Sequence, residues 1–283
     1  MNRGNRTISV LMATYAKERP ERLARALDSI YRQTRPPDQL VLVVDGPVGP
    51  DQEEVIAVYQ HDTRIPEMRV VRLPTNVGLA RALNAGLKVC RGEWIMRMDS
   101  DDISLEDRTE VQMAYIERHS GLDVVSGWSE EFFDETPATR IKASPTTHEA
   151  IIQGLKWRNI LVHPSMMMRA STVRSVGGYS ADFPLLEDWN LWVRLALAKA
   201  RFAVIPKVLV RMLVGKDQAA RRGGLRYLAH EVRFRTFCWR NGFINLRQYA
   251  LSTAAYGAFR LAGPALRGRL YKIVRTQEVR EHV

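Results

Sequence analysis

Residues 94–102 read WIMRMDSDD, an apolar run that ends in three carboxylates within four positions. Asp99, Asp101 and Asp102 repel one another, and ordinary folding does not require them at that place. Alternating aspartates can bring two carboxylates to one divalent cation, and Mg²⁺ and Mn²⁺ prefer oxygen ligands. A solvated acidic turn, in which Asp102 or Ser104 caps the next helix, is the structural alternative. The stretch therefore predicts a buried strand followed by either a metal–diphosphate site or a helix cap.

Apolar runs and helical patterns alternate on both sides of this stretch. Continuous apolar runs predict strands at 7–13, 40–44, 69–73, 94–98 and 123–127, and apolar residues at helical spacing predict helices at 20–34, 53–60, 79–89 and 104–118. Strands that are apolar throughout are typical of parallel sheets covered on both faces. The pattern predicts an open, doubly wound α/β sheet, in which ligands bind beyond the carboxyl ends of the strands.

The pattern changes after residue 130. A hairpin or loop is predicted up to a helix near 148–156, followed by a strand at 165–169, a helix at 186–200 and a strand or bent pair of strands at 201–212. From about residue 221 the chain reads as helical, basic and aromatic.

The net charge of +11 is unevenly distributed over the 283 residues. Residues 201–283 hold 17 lysines and arginines against 4 acidic residues, whereas the first 200 residues are nearly neutral. A near-neutral body argues against a globular nucleic-acid reader, and a basic tail needs an acidic partner such as anionic lipid, nucleic acid or another protein. Cys90 and Cys238 predict buried thiols, because they are far apart and no CxxC spacing is present. The polar start MNRGNRT predicts no signal peptide and a reducing, cytoplasmic setting.

Seven segments occur together in a fixed order: ISVLMATYAK (8–17), QLVLVVDGP (39–47), NVGLARALNAGL (76–87), MRMDSDD (96–102), HPSMMMR (163–169), VGGY (176–179) and LEDWNLWVRL (186–195). In this order they resemble the family 2 glycosyltransferases of the GT-A fold, over about residues 7–224. Two of them, VVDGP and NVGLARALN, are similar to the branch that builds bacterial exopolysaccharide and lipopolysaccharide, including amylovoran-type enzymes. The resemblance implies a GT-A domain at 1–222, with a Rossmann-like, mostly parallel sheet and helices on both faces, and leaves 223–283 as a basic, amphipathic helical extension.

The resemblance also implies a nucleotide-sugar site. Its members would be Ala13, Thr14, Tyr15, Asp45, Asn76, Gly78, Arg81, Asp99, Ser100 and Asp101. Tyr15 would stack on the base or form a wall beside it, Asp45 would face the base, and Arg81 would pair with pyrophosphate at a helix N-terminus. Many family members have two consecutive aspartates where this chain has Asp45-Gly46, a departure that bears on which base is read. A turn, a cap and a surface arginine are the structural alternative for Asn76, Gly78 and Arg81.

Three residues would hold the divalent cation, Mn²⁺ or Mg²⁺, if the resemblance is carried over: Asp99, Asp101 and His163. In some family members the histidine at the position of His163 approaches the metal or the acceptor. In the family, the first aspartate contacts ribose or metal and the second contacts the metal. A histidine before Pro164 with a purely structural role is the alternative for His163.

The segment LLEDWNLW places Glu187 and Asp188 at a helix start. Acidic residues there can simply cap the helix. The resemblance makes Asp188 the general base and Glu187 a supporting or acceptor-orienting carboxylate. An acceptor hydroxyl must lose its proton while it attacks the anomeric carbon, and a carboxylate within hydrogen-bond reach can take that proton. One base opposite the leaving group predicts inversion.

Two basic segments have alternative interpretations. The segment RMLVGKDQAARRGG (211–224), with Lys216, Arg221 and Arg222, predicts either a loop that closes over the donor or a basic linker. The segments 225–240 and 266–275 mix arginines with aromatic and aliphatic residues, which suits a membrane interface. We expect peripheral attachment to the cytoplasmic face of the inner membrane, with a helical cap on the domain or a dimer contact as the alternative. The uncharged stretch between Arg247 and Arg260 is too short to span a bilayer.

The sequence as a whole predicts a metal-dependent, inverting glycosyltransferase of cell-surface polysaccharide biosynthesis. It would move a sugar from a nucleotide-diphosphate donor, a UDP-sugar first of all, to a glycan or lipid-linked acceptor. One alternative is a sugar nucleotidyltransferase, although ATYAKERPERL lacks the glycine-rich phosphate loop of such enzymes. The other is a non-catalytic protein that binds nucleotide or nucleic acid through the basic tail. The presence of both acidic motifs favours the enzyme, and we expect no nucleic-acid partner.

Overall fold

The computed structural model describes residues 6–133, 136–214 and 224–261. Strands and helices alternate strictly through the first third of the chain, as predicted. They are β1 (Ile8–Thr14), α1 (Pro20–Tyr31), β2 (Gln39–Val44), α2 (Pro50–Gln60), β3 (Glu67–Arg72), α3 (Leu79–Val89) and β4 (Trp94–Asp99). Pro20 and Pro50 begin their helices, where the fixed φ of proline suits the helix and its missing amide has no intrahelical partner to lose.

The elements after β4 are shorter and less regular. They are β5 (Ile103–Ser104), α4 (Arg108–Arg118), β6 (Val124–Phe133), β7 (Thr136–Lys142), α5 (His148–Leu155), a 3₁₀ turn (His163–Ser165), β8 (Met167–Arg169), α6 (Ala170–Ser175), α7 (Glu187–Leu197), β9 (Phe202–Leu213), α8 (Leu225–Arg240) and α9 (Leu246–Leu261). The prediction of one helix over 104–118 was wrong at its start. Ser104 pairs with Val210 as part of β5, and α4 begins only at Arg108.

The described strands form one mixed sheet in the order β3-β2-β1-β4-β8-β6-β9-β5, with β7 beside β6. β3, β2, β1 and β4 are parallel neighbours, and β6 and β9 are also parallel. The three-residue β8 lies between β4 and β6 and is antiparallel to both. The α/β sheet is therefore confirmed, and the predicted strand at 123–127 is the start of β6, which β8 separates from β4.

The two faces of the sheet bury separate apolar clusters. Because side chains alternate along a strand, Trp94, Met96 and Met98 pack on the face that α1 and α4 cover. Ile95 packs on the opposite face, with α3, α5 and α7. Arg97 and Asp99 have the same parity as Ile95, so they project toward α7 and not toward α1.

Helix α8 packs one side on this second cluster. Tyr227, Phe234 and Cys238 are buried there, and the Phe234 ring centroid lies 4.8 Å from that of Trp189 in α7. The predicted domain boundary at 222 and the basic segment 266–275 lie outside the described residues. None of the helices in the described residues is long and apolar enough to cross a membrane.

Candidate active site

The carboxyl ends of β1, β2 and β4 meet at one edge of the sheet. The parallel register places Ala13 beside Asp99 and Thr14 beside Val44, the residue before Asp45. Residues from three of the predicted motifs are thus brought together by strand pairing alone. This is the edge at which α/β sheets bind ligands.

Asp45 organises the part of this edge that lies at the end of β2. Its carboxylate accepts hydrogen bonds from the amides of Val77 (2.7 Å) and Gly78 (3.0 Å), and its carbonyl accepts one from Asn76 Nδ2 (3.1 Å). Asp45 therefore ties the loop before α3 to the end of β2. The structural alternative for Asn76 and Gly78, a turn and a helix start, describes this contact, and Gly78 flanks α3 with a φ of 86°.

Gly46 explains why this chain lacks a second aspartate. Its φ of +86° lies in the left-handed region, and a Cβ built on it would come within 2.7 Å of the Asn76 amide nitrogen. A side chain there would displace the loop that Asp45 holds. The backbone of residues 75–76 lies so close to Gly46 that only glycine fits at the position after Asp45.

Tyr15 and Arg81 are exposed beside this loop, and Arg81 lies in the first turn of α3. Thr14 is buried, and its hydroxyl has no hydrogen-bond partner among the described residues. The exposure of Tyr15 and Arg81 leaves both available to a ligand at the edge. Their predicted roles against base and pyrophosphate stay predictions.

The acidic triplet after β4 is held in three different ways. Asp99 is partly exposed and pairs with the Arg97 guanidinium, which is completely buried. Asp102 is buried and accepts a 2.8 Å hydrogen bond from the Leu213 amide of β9, so it does not cap α4. Ser100 is buried between them. Asp101 is partly exposed, and its carboxylate accepts a hydrogen bond from its own backbone amide.

The carboxyl groups of this triplet perturb one another. Burial, and then Asp99 and Glu18, raise the pKa of Asp101 to about 7. Burial, and then Asp99 and Asp101, raise the pKa of Asp102 well above its usual value. Burial also raises the pKa of Glu18, which lies in the loop after β1. A cluster of carboxyl groups that resist ionisation together is a place where a cation would be stabilised.

Two aspartates fit a divalent cation, but His163 does not join them. No three histidine, cysteine, aspartate or glutamate side chains form a metal-binding group within the described ranges. His163 instead shares a 2.9 Å hydrogen bond between its Nε2 and the Tyr179 hydroxyl, and burial lowers its pKa. The expected third protein ligand is therefore absent from the arrangement. Asp99 and Asp101 match the donor set of Mg²⁺ or Mn²⁺ bound by few carboxylates, with phosphate and water completing the shell.

Glu187 and Asp188 begin α7, as expected from the sequence. Asp188 Oδ2 accepts a 2.6 Å hydrogen bond from Asn159 Nδ2, and its Oδ1 accepts one from the Trp189 amide at 2.7 Å. Glu187 Oε2 is buried and has no partner in the part of the chain that the structure describes. Burial, with Asp188 as the second cause, raises the pKa of Glu187 to about 7.

Arg97 connects the two acidic groups and was missed by the sequence analysis. Burial is the largest influence on the pKa values of Asp101, Asp102 and Glu187, and the Arg97 charge opposes it in all three. The guanidinium is therefore near both motifs. The signal that could have found it is an arginine in the middle of a fully buried strand, because arginine is almost never buried without a partner.

Buried polar atoms without partners concentrate at this edge. Of the twelve such atoms in the described residues, six belong to five residues of the site. They are Thr14 Oγ1, Arg97 Nε and Nη1, Asp102 Oδ2, Asn159 Oδ1 and Glu187 Oε2. Native proteins rarely leave such atoms unsatisfied, so this concentration indicates a site that a ligand completes.

Two segments with predicted roles lie outside the described residues. They are the part of the predicted closing loop that carries Lys216, Arg221 and Arg222, and the segment 266–275.

Comparison with known proteins gives a consistent result. The family model described as "Glycosyl transferase family 2" matches residues 9–176. The chain is 37% identical to the amylovoran biosynthesis glycosyltransferase AmsE of Erwinia amylovora, over 86% of this chain and 91% of that protein. It is 32% identical to an Escherichia coli UDP-Gal:alpha-D-GlcNAc-diphosphoundecaprenol beta-1,3-galactosyltransferase, over 94% and 95% of the two chains.

A solved structure has the same fold. TarS 1–349 of S. aureus in complex with UDP-GlcNAc superposes with a TM-score of 0.66 at 18% identity, covering 90% of this chain and 73% of that one.

Proposed function

Because this chain belongs to glycosyl transferase family 2, we propose that it moves a sugar from a UDP-sugar to a lipid-linked or glycan acceptor of a bacterial surface polysaccharide. Membership makes it a glycosyltransferase and decides against a sugar nucleotidyltransferase and against a non-catalytic binding protein. The relatives named above act in amylovoran biosynthesis and on a diphosphoundecaprenol-linked sugar. The chain covers nearly the full length of both.

The observation that carries the proposal is the convergence of two acidic pairs on one edge of the sheet. Asp99 ends β4 and Asp101 follows it, while Glu187 and Asp188 begin α7. After burial, the charges of Asp188, Asp99 and Glu187 all raise the pKa of Tyr179. The charge of Arg97 opposes the raised pKa of Glu187, and, against the effect of burial, Asp99 raises the pKa of Arg97. These mutual influences support a single site. Such an arrangement provides a donor end and an acceptor end for one transfer.

At the donor end, Asp99 and Asp101 would hold Mn²⁺ or Mg²⁺. The bound cation supplies charge neutralisation for the diphosphate as it departs. Asn76, Gly78 and Arg81 border the same end, and the N-terminus of α3 adds partial positive charge. Tyr15, after β1, and Asp45, after β2, would contact the nucleoside.

At the acceptor end, Asp188 would act as the general base. The acceptor oxygen forms a bond to the anomeric carbon, the bond from that carbon to the diphosphate oxygen breaks, and its electron pair leaves with the nucleoside diphosphate. Asp188 takes the proton of the acceptor hydroxyl. A single base that acts on the face of the sugar opposite the leaving group would give a product with inverted configuration.

Asparagine at position 188 tests this assignment. The substrates would be a panel of UDP-sugars with Mn²⁺ and an N-acetylglucosamine diphosphate carried on a short lipid. We expect Asp188→Asn to lower kcat by about 10²–10⁴-fold, without weakening UDP binding. The matched control is Asp182→Asn, an exposed aspartate in the loop before α7. Full activity of Asp188→Asn, or a product with retained configuration, would contradict the mechanism.

The basic C-terminal region supports peripheral attachment to an anionic membrane surface. Leu225, Leu246 and Leu251 are exposed on α8 and α9 while the opposite side of α8 is packed on the domain. Arg226, Arg240 and Arg247 are exposed nearby in sequence. A lipid-linked acceptor would be reached from such a surface.

A further inference from the structure

Asn159 lies after α5, and its side chain reaches the start of α7. Its Nδ2 donates a 2.6 Å hydrogen bond to Asp188 Oδ2. Because a carboxylate can only accept, the amide must present its NH₂ group there and its carbonyl oxygen elsewhere. That oxygen, Asn159 Oδ1, is buried and has no hydrogen-bond partner among the described residues. Asn159 thus uses its donor on Asp188 and leaves its acceptor unsatisfied.

The segment that carries Asn159 is fixed on three sides. Trp189 Nε1 of α7 donates to the Leu155 carbonyl at 3.0 Å, and Arg235 Nη2 of α8 donates to the Trp157 carbonyl at 3.3 Å. Ser144 Oγ donates to the Ile160 carbonyl at 2.6 Å. The backbone on either side of Asn159 is therefore held to α7, α8 and the loop before α5. A side chain on such a support has a defined position.

Asp188 is consequently oriented at both oxygens. The Trp189 amide holds Oδ1 at 2.7 Å, and Asn159 holds Oδ2. A base has to lie within hydrogen-bond reach of the proton that it takes, and small displacements of reacting groups lower the rate strongly. Without Asn159, the carboxylate would lose the hydrogen bond that holds its Oδ2.

We propose that Asn159 is a positioning residue for Asp188 and that its Oδ1 accepts a hydrogen bond from a second hydroxyl of the acceptor sugar. The inference rests on the proposed function, because it takes Asp188 as the base. A buried acceptor atom without a partner is costly, so a sugar that supplies a hydroxyl there is preferred to one that does not. Asn159 therefore also selects the acceptor.

Other titratable groups surround this pair. Glu187 precedes Asp188 in α7. Burial is the main cause of the raised pKa of Tyr179, and the nearby charges of Asp188 and Glu187 raise it further. Arg97 lowers the pKa values of both Tyr179 and Glu187 against that burial. Glu187, Tyr179 and Arg97 are unchanged in the position-159 variants below, so differences between those variants and the wild type report on position 159.

The first test compares Asn159→Ala with the wild type in the transfer assay described above. We expect kcat to fall about 10–100-fold, in line with the loss of a positioning contact, and the KM for the lipid-linked acceptor to rise. The KM for the UDP-sugar and the affinity for UDP with Mn²⁺ should not change. The wild type should use an acceptor that lacks the hydroxyl facing Oδ1 much less well than the complete acceptor. Asn159→Ala should use the two acceptors equally well.

Asn159→Asp gives a sharper signature because it keeps the shape of the side chain. It places a carboxylate against Asp188, and the two would share one proton at lower pH. That proton restores a donor to Asp188, so the activity of Asn159→Asp should recover as pH falls. Asn159→Ala should show no such recovery.

The control is Asn190→Ala, on the same helix as Asp188. Asn190 is buried and accepts a 2.8 Å hydrogen bond from Arg194 Nε, so its loss should lower Tm without raising the acceptor KM. Wild-type kcat in Asn159→Ala, or an equal rise in acceptor KM in Asn190→Ala, would overturn the proposal while the proposed function stands. Absence of transfer by the wild type with every donor would overturn both.

Discussion

Glu187 is a single residue whose ionisation opposes folding. Its pKa is raised from 4.5 to about 7, so between these values the folded chain keeps a proton that the unfolded chain has lost. Stability must then fall as pH rises through this window. A shift of this size corresponds to at most about 3 kcal/mol. The folded protein is therefore less stable with an ionised Glu187 in the site than it would be with a neutral side chain there.

Glu187→Gln should therefore stabilise the protein in a pH-dependent way. Urea unfolding at pH 8 should show a free energy of unfolding higher than wild type by up to about 3 kcal/mol, and the difference should vanish near pH 4.5. Glu149→Gln, an exposed glutamate in the first turn of α5, is the control. A difference between Glu187→Gln and wild type that is the same at both pH values would contradict this account.

Among the elements, β4 was predicted together with its place at the ligand-binding edge, whereas β8 was predicted as a strand but not in its position between β4 and β6. The apolar run of β4 and its acidic end are local features, so their position at the carboxyl edge followed from sequence. The insertion of β8 between β4 and β6 depends on pairing between distant segments, and a three-residue strand has little pattern of its own. The same limit hid Asn159, whose contact with Asp188 spans 29 residues.

Helix α8 should behave as part of the folded domain. Phe234 is 1% exposed and its ring packs against Trp189 and Phe183. Phe234→Ala should lower the free energy of unfolding by about 3–5 kcal/mol, the usual range for a buried phenylalanine. Leu225→Ala, at a position in α8 that is 74% exposed, should change it little. Equal effects of the two substitutions in chemical denaturation would show that α8 does not pack as described.

At the scale of the whole molecule, the basic residues and the candidate active site lie in different parts of the chain. The acidic pairs lie on the body, and the basic excess lies beyond residue 200. The full chain should sediment with vesicles of anionic phospholipid and should be released by high salt, whereas neutral vesicles should not retain it. Arg226→Glu together with Arg247→Glu should weaken this binding and leave Tm unchanged. Equal binding to neutral and anionic vesicles would contradict the proposed attachment.

The account depends most directly on whether the β4 carboxylates hold a cation against a diphosphate. Calorimetric titration of UDP into the wild type, with and without Mn²⁺, tests this, with Asp101→Asn as the variant and Asp182→Asn as the control. We predict that Mn²⁺ strengthens UDP binding at least tenfold in the wild type and in Asp182→Asn, and not in Asp101→Asn. The same UDP affinity with and without Mn²⁺, or an undiminished Mn²⁺ effect in Asp101→Asn, would contradict the account.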